Sequence, residues 1–171
     1  MMARGNAAPD RYARAARAGA ALLATLSIAG CGSTLSQSRQ EHVHHMGGQV
    51  MPFDLARTVH VFRMTETGGI QRVLSRDRDA SEQIAKIQQH LQHEAHAFQR
   101  GDYNDPATLH GENMPGLKEL QAGAARIKVT YSPLADGAEI RFETTDLALL
   151  TAIHRWFGAQ LSEHGADARA E

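Results

Sequence analysis

Two stretches decide the architecture: VHVFRM (59–64), TETGG (65–69) and IQRVL (70–74) in one, and IKVTY (127–131), SPLADG (132–137) and AEIRF (138–142) in the other. Each is a pair of β-prone runs around a short loop containing Gly, the pattern of a β-hairpin. In the second, Ile127, Val129 and Tyr131 alternate with polar residues, as Ala138, Ile140 and Phe142 alternate with Glu139, Arg141 and Glu143. Period-two alternation predicts one buried face and one wet face.

An amphipathic helix follows each hairpin. Ile84, Ile87, Leu91, Ala95 and Phe98 fall on one narrow stripe at about 100° per residue, with Asp79 and Glu82 as a capping pair and Gly101 as the stop. Leu149, Leu150, Ile153, Trp156, Phe157 and Leu161 make a broader stripe between Thr145 or Asp146 and Gly165. A shift of 69 places sets Phe62 on Tyr131, Gly68 on Gly137, Asp77 on Asp146, Ile84 on Ile153 and Ile87 on Trp156. The expected fold is therefore α+β, a twofold ββα arrangement in which a four-stranded antiparallel sheet carries two amphipathic helices on one face. Between the halves, Asp105-Pro106 starts a helical turn stopped by Gly111, and 117–122 makes another stopped by Gly123.

The 171 residues are 42% hydrophobic and 22% charged, with a formal charge of -1 and a single Cys. That is ordinary for one globular domain and excludes a strongly basic nucleic-acid binder, a disulfide scaffold and a multi-pass membrane protein. The composition is uneven at the start. Arg4, Arg11, Arg14 and Arg17 precede an uncharged run from Ala18 to Gly30, the layout of a secretory signal. The run is about 20 Å long as a helix, too short for a hydrocarbon core of about 30 Å.

Ile28-Ala29-Gly30-Cys31 resembles the lipobox of bacterial lipoproteins, in which the Cys is acylated and becomes the mature N-terminus. That resemblance implies cleavage before Cys31, a membrane partner reached through its lipid, and, with Gly32 next, the outer membrane facing the periplasm where there are two membranes. Expected boundaries are a signal peptide over 1–30, a flexible polar tether over 31–41, one α+β domain over 42–165 and a polar tail over 166–171. Removing the leader takes away four Arg and Asp10, so the mature charge becomes -4, which gives no electrostatic reason to seek nucleic acid.

All ten His lie after residue 30. His42, His44, His45 and Met46 form the densest cluster of potential ligands, and imidazole with thioether suits copper while imidazole alone suits zinc. The expected metal set is His44, His45 and Met46 with His60 and His110; the bland alternative is a solvated segment. His60 falls on the strand face that should be buried, and His60 with His154 is the expected interior pair. His90, His93 and His96 recur every third residue like a ligand ladder, of which neighbouring pairs could share a metal, but they are placed on the wet side of their helix, and His110 and His164 at helix ends where they complement the dipole. No Walker A loop, dinucleotide glycine fingerprint, Gly-x-Ser-x-Gly elbow or His-Glu-x-x-His motif occurs.

The segments 44–48, 51–54, 58–62, 101–103, 105–106, 110–111, 114–116 and 154–157 together resemble a small family of bacterial lipoproteins often labelled aspartate carbamoyltransferase. The label implies a carbamoyl phosphate site, but the Ser-Thr-Arg-Thr loop of transcarbamoylases does not occur here, and no other segment reads as a helix-terminus phosphate cradle. The expected function is binding of a transition metal, copper or zinc, by a lipid-anchored envelope protein. A metal-independent protein-interaction module is the alternative, and a small enzyme the third class.

Overall fold

The computed structural model describes residues 31–171, with side chains from residue 37 onward. The leader and its cleavage lie outside the described residues, and so does the Cys31 side chain. Along the chain run α1 (Cys31–Val50), β1 (Thr58–Thr65), β2 (Gly68–Ser75), α2 (Ser81–Gln99), α3 (Asn104–His110), α4 (Leu117–Gly123), β3 (Lys128–Leu134), β4 (Gly137–Glu143), α5 (Leu147–His164) and β5 (Ala168–Ala170). Among the described residues no helix is long and apolar enough to cross a membrane.

The class is α+β. The hairpins β1–β2 and β3–β4 lie side by side in the order β3-β4-β2-β1-β5, joined by antiparallel pairing of β2 with β4. Both hairpins turn through two residues, Glu66-Thr67 and Ala135-Asp136, so their registers are tight. Gly68 and Gly137 open β2 and β4 where these strands approach each other. A Cβ at either would stand within about 2 Å of a carbonyl oxygen of the facing strand, Phe142 or Val73 respectively.

Alternation puts His60, Phe62, Gln71, Val73, Ile140, Phe142 and Val129 on the inner face, against α2 and α5. Trp156, fully buried, is the hub, in edge contact with Phe98, Tyr103 and Phe142 at 5.5–5.7 Å between ring centres. Asp146 caps α5 by accepting from the Ala148 and Leu149 amides at 2.8 and 3.3 Å. Gly116, at φ 85°, lets α4 begin against the α5 backbone, where a Cβ would meet the Ala152 carbonyl at 2.2 Å.

The structure corrects the expected sheet. It is mixed and five-stranded, because the segment read as a polar tail returns after α5 and pairs parallel to β1, His60 opposite Ala168 and Phe62 opposite Ala170. Ala168-Arg169-Ala170 has no β-branched residue, so local propensity carries no strand signal. The unpaired backbone of the β1 edge supplies the reason for the strand. The tether segment is likewise described as the first half of α1. Val43, Met46, Gly47 and Val50 line one side of that helix at i, i+3, i+4 and i+7, while Arg39 reaches the His110 carbonyl and Glu163. Tertiary contact, rather than intrinsic helix preference, accounts for it.

The outer sheet face is charged. Arg72 and Arg141 both bond Glu139, at 2.8 and 3.1 Å, and Arg72 also pairs with Glu171. On the same face Val61 and Ile70 are nonetheless buried, a consistent result where long arginine stems cover apolar strand positions.

Candidate metal centre

The buried stripe of α2 is apolar except for Gln83 near its start and Glu94 among Leu91, Ala95 and Phe98. His90 and Glu94 are four apart and lie on one side of α2, and α3 brings Asp105 up to them. One ligand atom from each of the three lies within 4.8 Å of the others, and among the described residues no other group of three meets that spacing. Glu94 is buried, while His90 and Asp105 are half-buried.

The electrostatics are those of carboxylates without a counter-ion. Burial, then the Asp105 charge and a side-chain hydrogen bond with Asp105, push the Glu94 carboxyl up to about 8. Glu94 thus carries the proton that joins it to Asp105 at neutral pH. Burial lowers His90 to about 4, against the opposing pull of Asp105, so its imidazole is neutral and offers a lone pair.

These groups open onto a cavity of about 50 Å³ bounded by α2, α3, the C-terminal half of α5 and the inner sheet face. Three more imidazoles lie along it. His164 stacks on His60 at 4.8 Å and meets His110 edge-on at 5.0 Å between ring centres. His110 donates from Nδ1 to Glu163 at 2.8 Å, and His164 donates from Nε2 to the Gln160 side-chain oxygen at 3.0 Å. His60 hydrogen-bonds the Asp167 backbone carbonyl. In His60 and His164 an oxygen acceptor fixes one nitrogen as N–H, which leaves the other as a lone pair in the neutral ring.

Burial lowers His60 to about 4 and moves His164 well down as well, so both rings are neutral. Burial opposes the charge on Glu163, but His110 and Arg39 outweigh it and hold that carboxyl below its ordinary range. Among the described residues four buried polar atoms of cavity-lining residues have no partner: His60 Nδ1, His110 Nε2, Gln71 Oε1 and Trp156 Nε1. Buried polar groups are normally satisfied, so four orphans around one space call for partners, water or ligand.

Of the residues expected from the sequence, His60 and His110 reach this cavity and the others do not. His44 is exposed and pairs with Asp167 at 3.1 Å, and His45 is exposed. Both fall off the α1 stripe that docks on the body. Met46 is on that stripe and packs against the apolar core. The five expected ligands are therefore not brought together.

The pair His60 and His154 is also not formed. His154 binds the Thr65 and Gly68 carbonyls at 3.0 and 2.8 Å, clamping the first hairpin turn. α5 runs antiparallel to β1, which puts His164, about 15 Å further along the helix, against His60 instead. His93 and His96 are exposed, as the wet-face reading has them, but their neighbour His90 is turned inward. His90, Glu94, Asp105 and His164 are the site residues that sequence reasoning missed. One signal was present: at 100° per residue Glu94 sits only about 20° from Ile87, inside the apolar stripe.

No family model, characterised protein or solved structure matches the chain.

Proposed function

We propose that the chain is a lipid-anchored envelope protein that binds one transition-metal ion in this cavity through His90, Glu94 and Asp105. The observation that carries the reading is their convergence within 4.8 Å beside a cavity with unsatisfied polar walls. One imidazole with two carboxylates is a donor set for zinc, iron(II) or manganese(II). Copper(I), which the Met46 thioether would favour, finds no sulfur in this cluster. We take the two hairpin–helix units as one arrangement used twice, with the ligands on α2 of the first and the segment that links it to the second. The anchor rests on the Arg-rich leader and the lipobox-like Ile28-Ala29-Gly30-Cys31.

Three measurements test the proposal. Protein prepared without a His tag should bind close to one equivalent of Zn²⁺ by elemental analysis, and its thermal midpoint should rise with the metal and fall back with chelator. Asp105→Asn should lose that shift. A melt unmoved by Zn²⁺, Mn²⁺, Fe²⁺, Cu²⁺ and Ni²⁺ removes the metal. Mass spectrometry of membrane-extracted protein should find a diacylglyceryl Cys31, and an intact leader on cytosolic protein removes the anchor.

The alternative, a metal-independent interaction module, draws on the outer sheet face, which carries Arg72, Arg141 and Glu139 opposite the face packed on α2 and α5. A partner captured by the wild type and lost in Arg141→Glu, with metal stripped from both, would favour that reading.

A further inference from the structure

We infer that an ion held by His90, Glu94 and Asp105 keeps an open coordination position on its cavity side, filled by water that exchanges for a ligand of about three non-hydrogen atoms. This rests on the metal reading above and says what kind of centre it is. The first ground is donor count. Three side chains supply three monodentate positions, whereas zinc takes four and manganese or iron(II) commonly six. Structural sites are closed by protein donors, and sites that act on ligands leave a gap.

The second ground is space. A water needs about 10–15 Å³ of such a cavity. The cavity offers about 50 Å³ and so holds more than a bare ion.

The third ground is the chemistry of the walls. Among the described residues His60 Nδ1 and Gln71 Oε1 are acceptors lacking a donor, His110 Nε2 lacks a partner, and Trp156 Nε1 is a donor lacking an acceptor. His60, His110 and Trp156 are each at least 97% buried, so bulk water does not satisfy them. An ion held only by the three side chains leaves both the lone pairs and the indole N–H unanswered. A metal-bound water provides two donors for the acceptors, and a small ligand replacing it provides an acceptor for Trp156. The charge limits the affinity. A dication with two carboxylates is already neutral, so water is the resting ligand and a monoanion binds weakly.

The test uses Co²⁺ as the metal and azide as the probe. The Co²⁺-loaded protein should change its visible absorption bands on titration with millimolar azide. Trp156→Phe should weaken azide by about two- to tenfold, the range expected for losing one hydrogen bond, and Gln71→Leu, which removes an acceptor that holds the water but repels the anion, should strengthen it by a similar factor, with Co²⁺ stoichiometry unchanged in both. Gln71→Leu keeps the test alive should Trp156→Phe fail to fold. Bands that stay fixed at saturating azide, with Co²⁺ bound one to one, overturn the open position and leave the metal reading standing. Azide affinity unaltered in both variants overturns its placement on the cavity side. Failure to bind Co²⁺, Zn²⁺ or Mn²⁺ at all overturns both proposals.

Discussion

The two hairpin–helix units share their order of elements and differ in what they point inward. Under the 69-residue shift, His60 of the first corresponds to Val129 of the second, Gln71 to Ile140 and His90 to Ala159. The first unit spends core-facing positions on polar groups. The second fills the same positions with apolar ones, 5% exposed at Val129 and fully buried at Ile140, beneath Trp156 and Phe157. Glu94 and Glu163 correspond to each other, and each bonds a residue of α3, Asp105 in one case and His110 in the other. The second unit thus supplies packing that holds the polar residues of the first in place. Chemistry is concentrated where one half departs from the apolar pattern of the other.

The sharpest way to break the contrast is to remove packing from the second unit. Trp156→Ala should cost about 3–5 kcal/mol in denaturant unfolding, since it empties the centre of the aromatic cluster. A loss below about 1 kcal/mol would mean that the second unit is not what fixes the core.

Next in size is acid. His60 titrates at about 4 when folded, against its ordinary 6.5, because burial disfavours the charge. A base whose folded value is lowered contributes fully above its unfolded value, and the contribution disappears as pH falls from 6.5 to 4, about 3 kcal/mol for this ring. His90 and His164, lowered chiefly by burial, act in the same direction. Glu94, raised to about 8 chiefly by burial, acts oppositely and adds stability as pH falls towards its ordinary 4.5. The three imidazoles outweigh it, so the metal-free protein should lose stability between pH 6.5 and 4. His60→Leu, which gives the first unit the apolar character of the second, should flatten that limb in urea melts at stepped pH. An unchanged slope would contradict the placement of a neutral His60 in the core.

Glu163→Gln sharpens the contrast on the other side. It weakens the bonds to His110 and Arg39 without changing volume, and should cost about 1–2 kcal/mol near neutral pH by thermal melt. The equivalent Glu94→Gln removes a proton-bearing carboxyl from a metal-free site and should cost less than Glu163→Gln. A reversed order would show that the two glutamates do not differ in charge state. The smallest effect is expected at Lys86→Ala, which loses an exposed i,i+4 pair with Glu82 at 2.7 Å and should shift stability by about 0.5 kcal/mol or less.

The hairpins and the two long helices were legible because each keeps a strict period of apolar residues over enough positions to outweigh local exceptions. β5 was not, since its Ala and Arg residues have no strand preference and pair only because β1 presents an open edge. α1 was hidden in a polar sequence whose single stripe of Val43, Met46, Gly47 and Val50 is too thin to read without its docking surface. In the site, His60 was legible as an imidazole on a buried strand face. His110 was named both as a candidate ligand and as a helix-end residue, and His164 only as the latter, because the place where a helix ends does not say which way its last side chain points.

The sequence by itself determined the α+β class, the two hairpins, their following helices and the burial of His60, since all of these follow from periodicity within a dozen residues. Only the tertiary structure decided that His90, Glu94 and Asp105 meet, that His60 lies against His164 rather than His154, and that a fifth strand closes one edge. These depend on the direction in which α5 crosses β1 and on where α3 sits between the halves. Long-range packing sets such geometry, and spacing along the chain does not encode it.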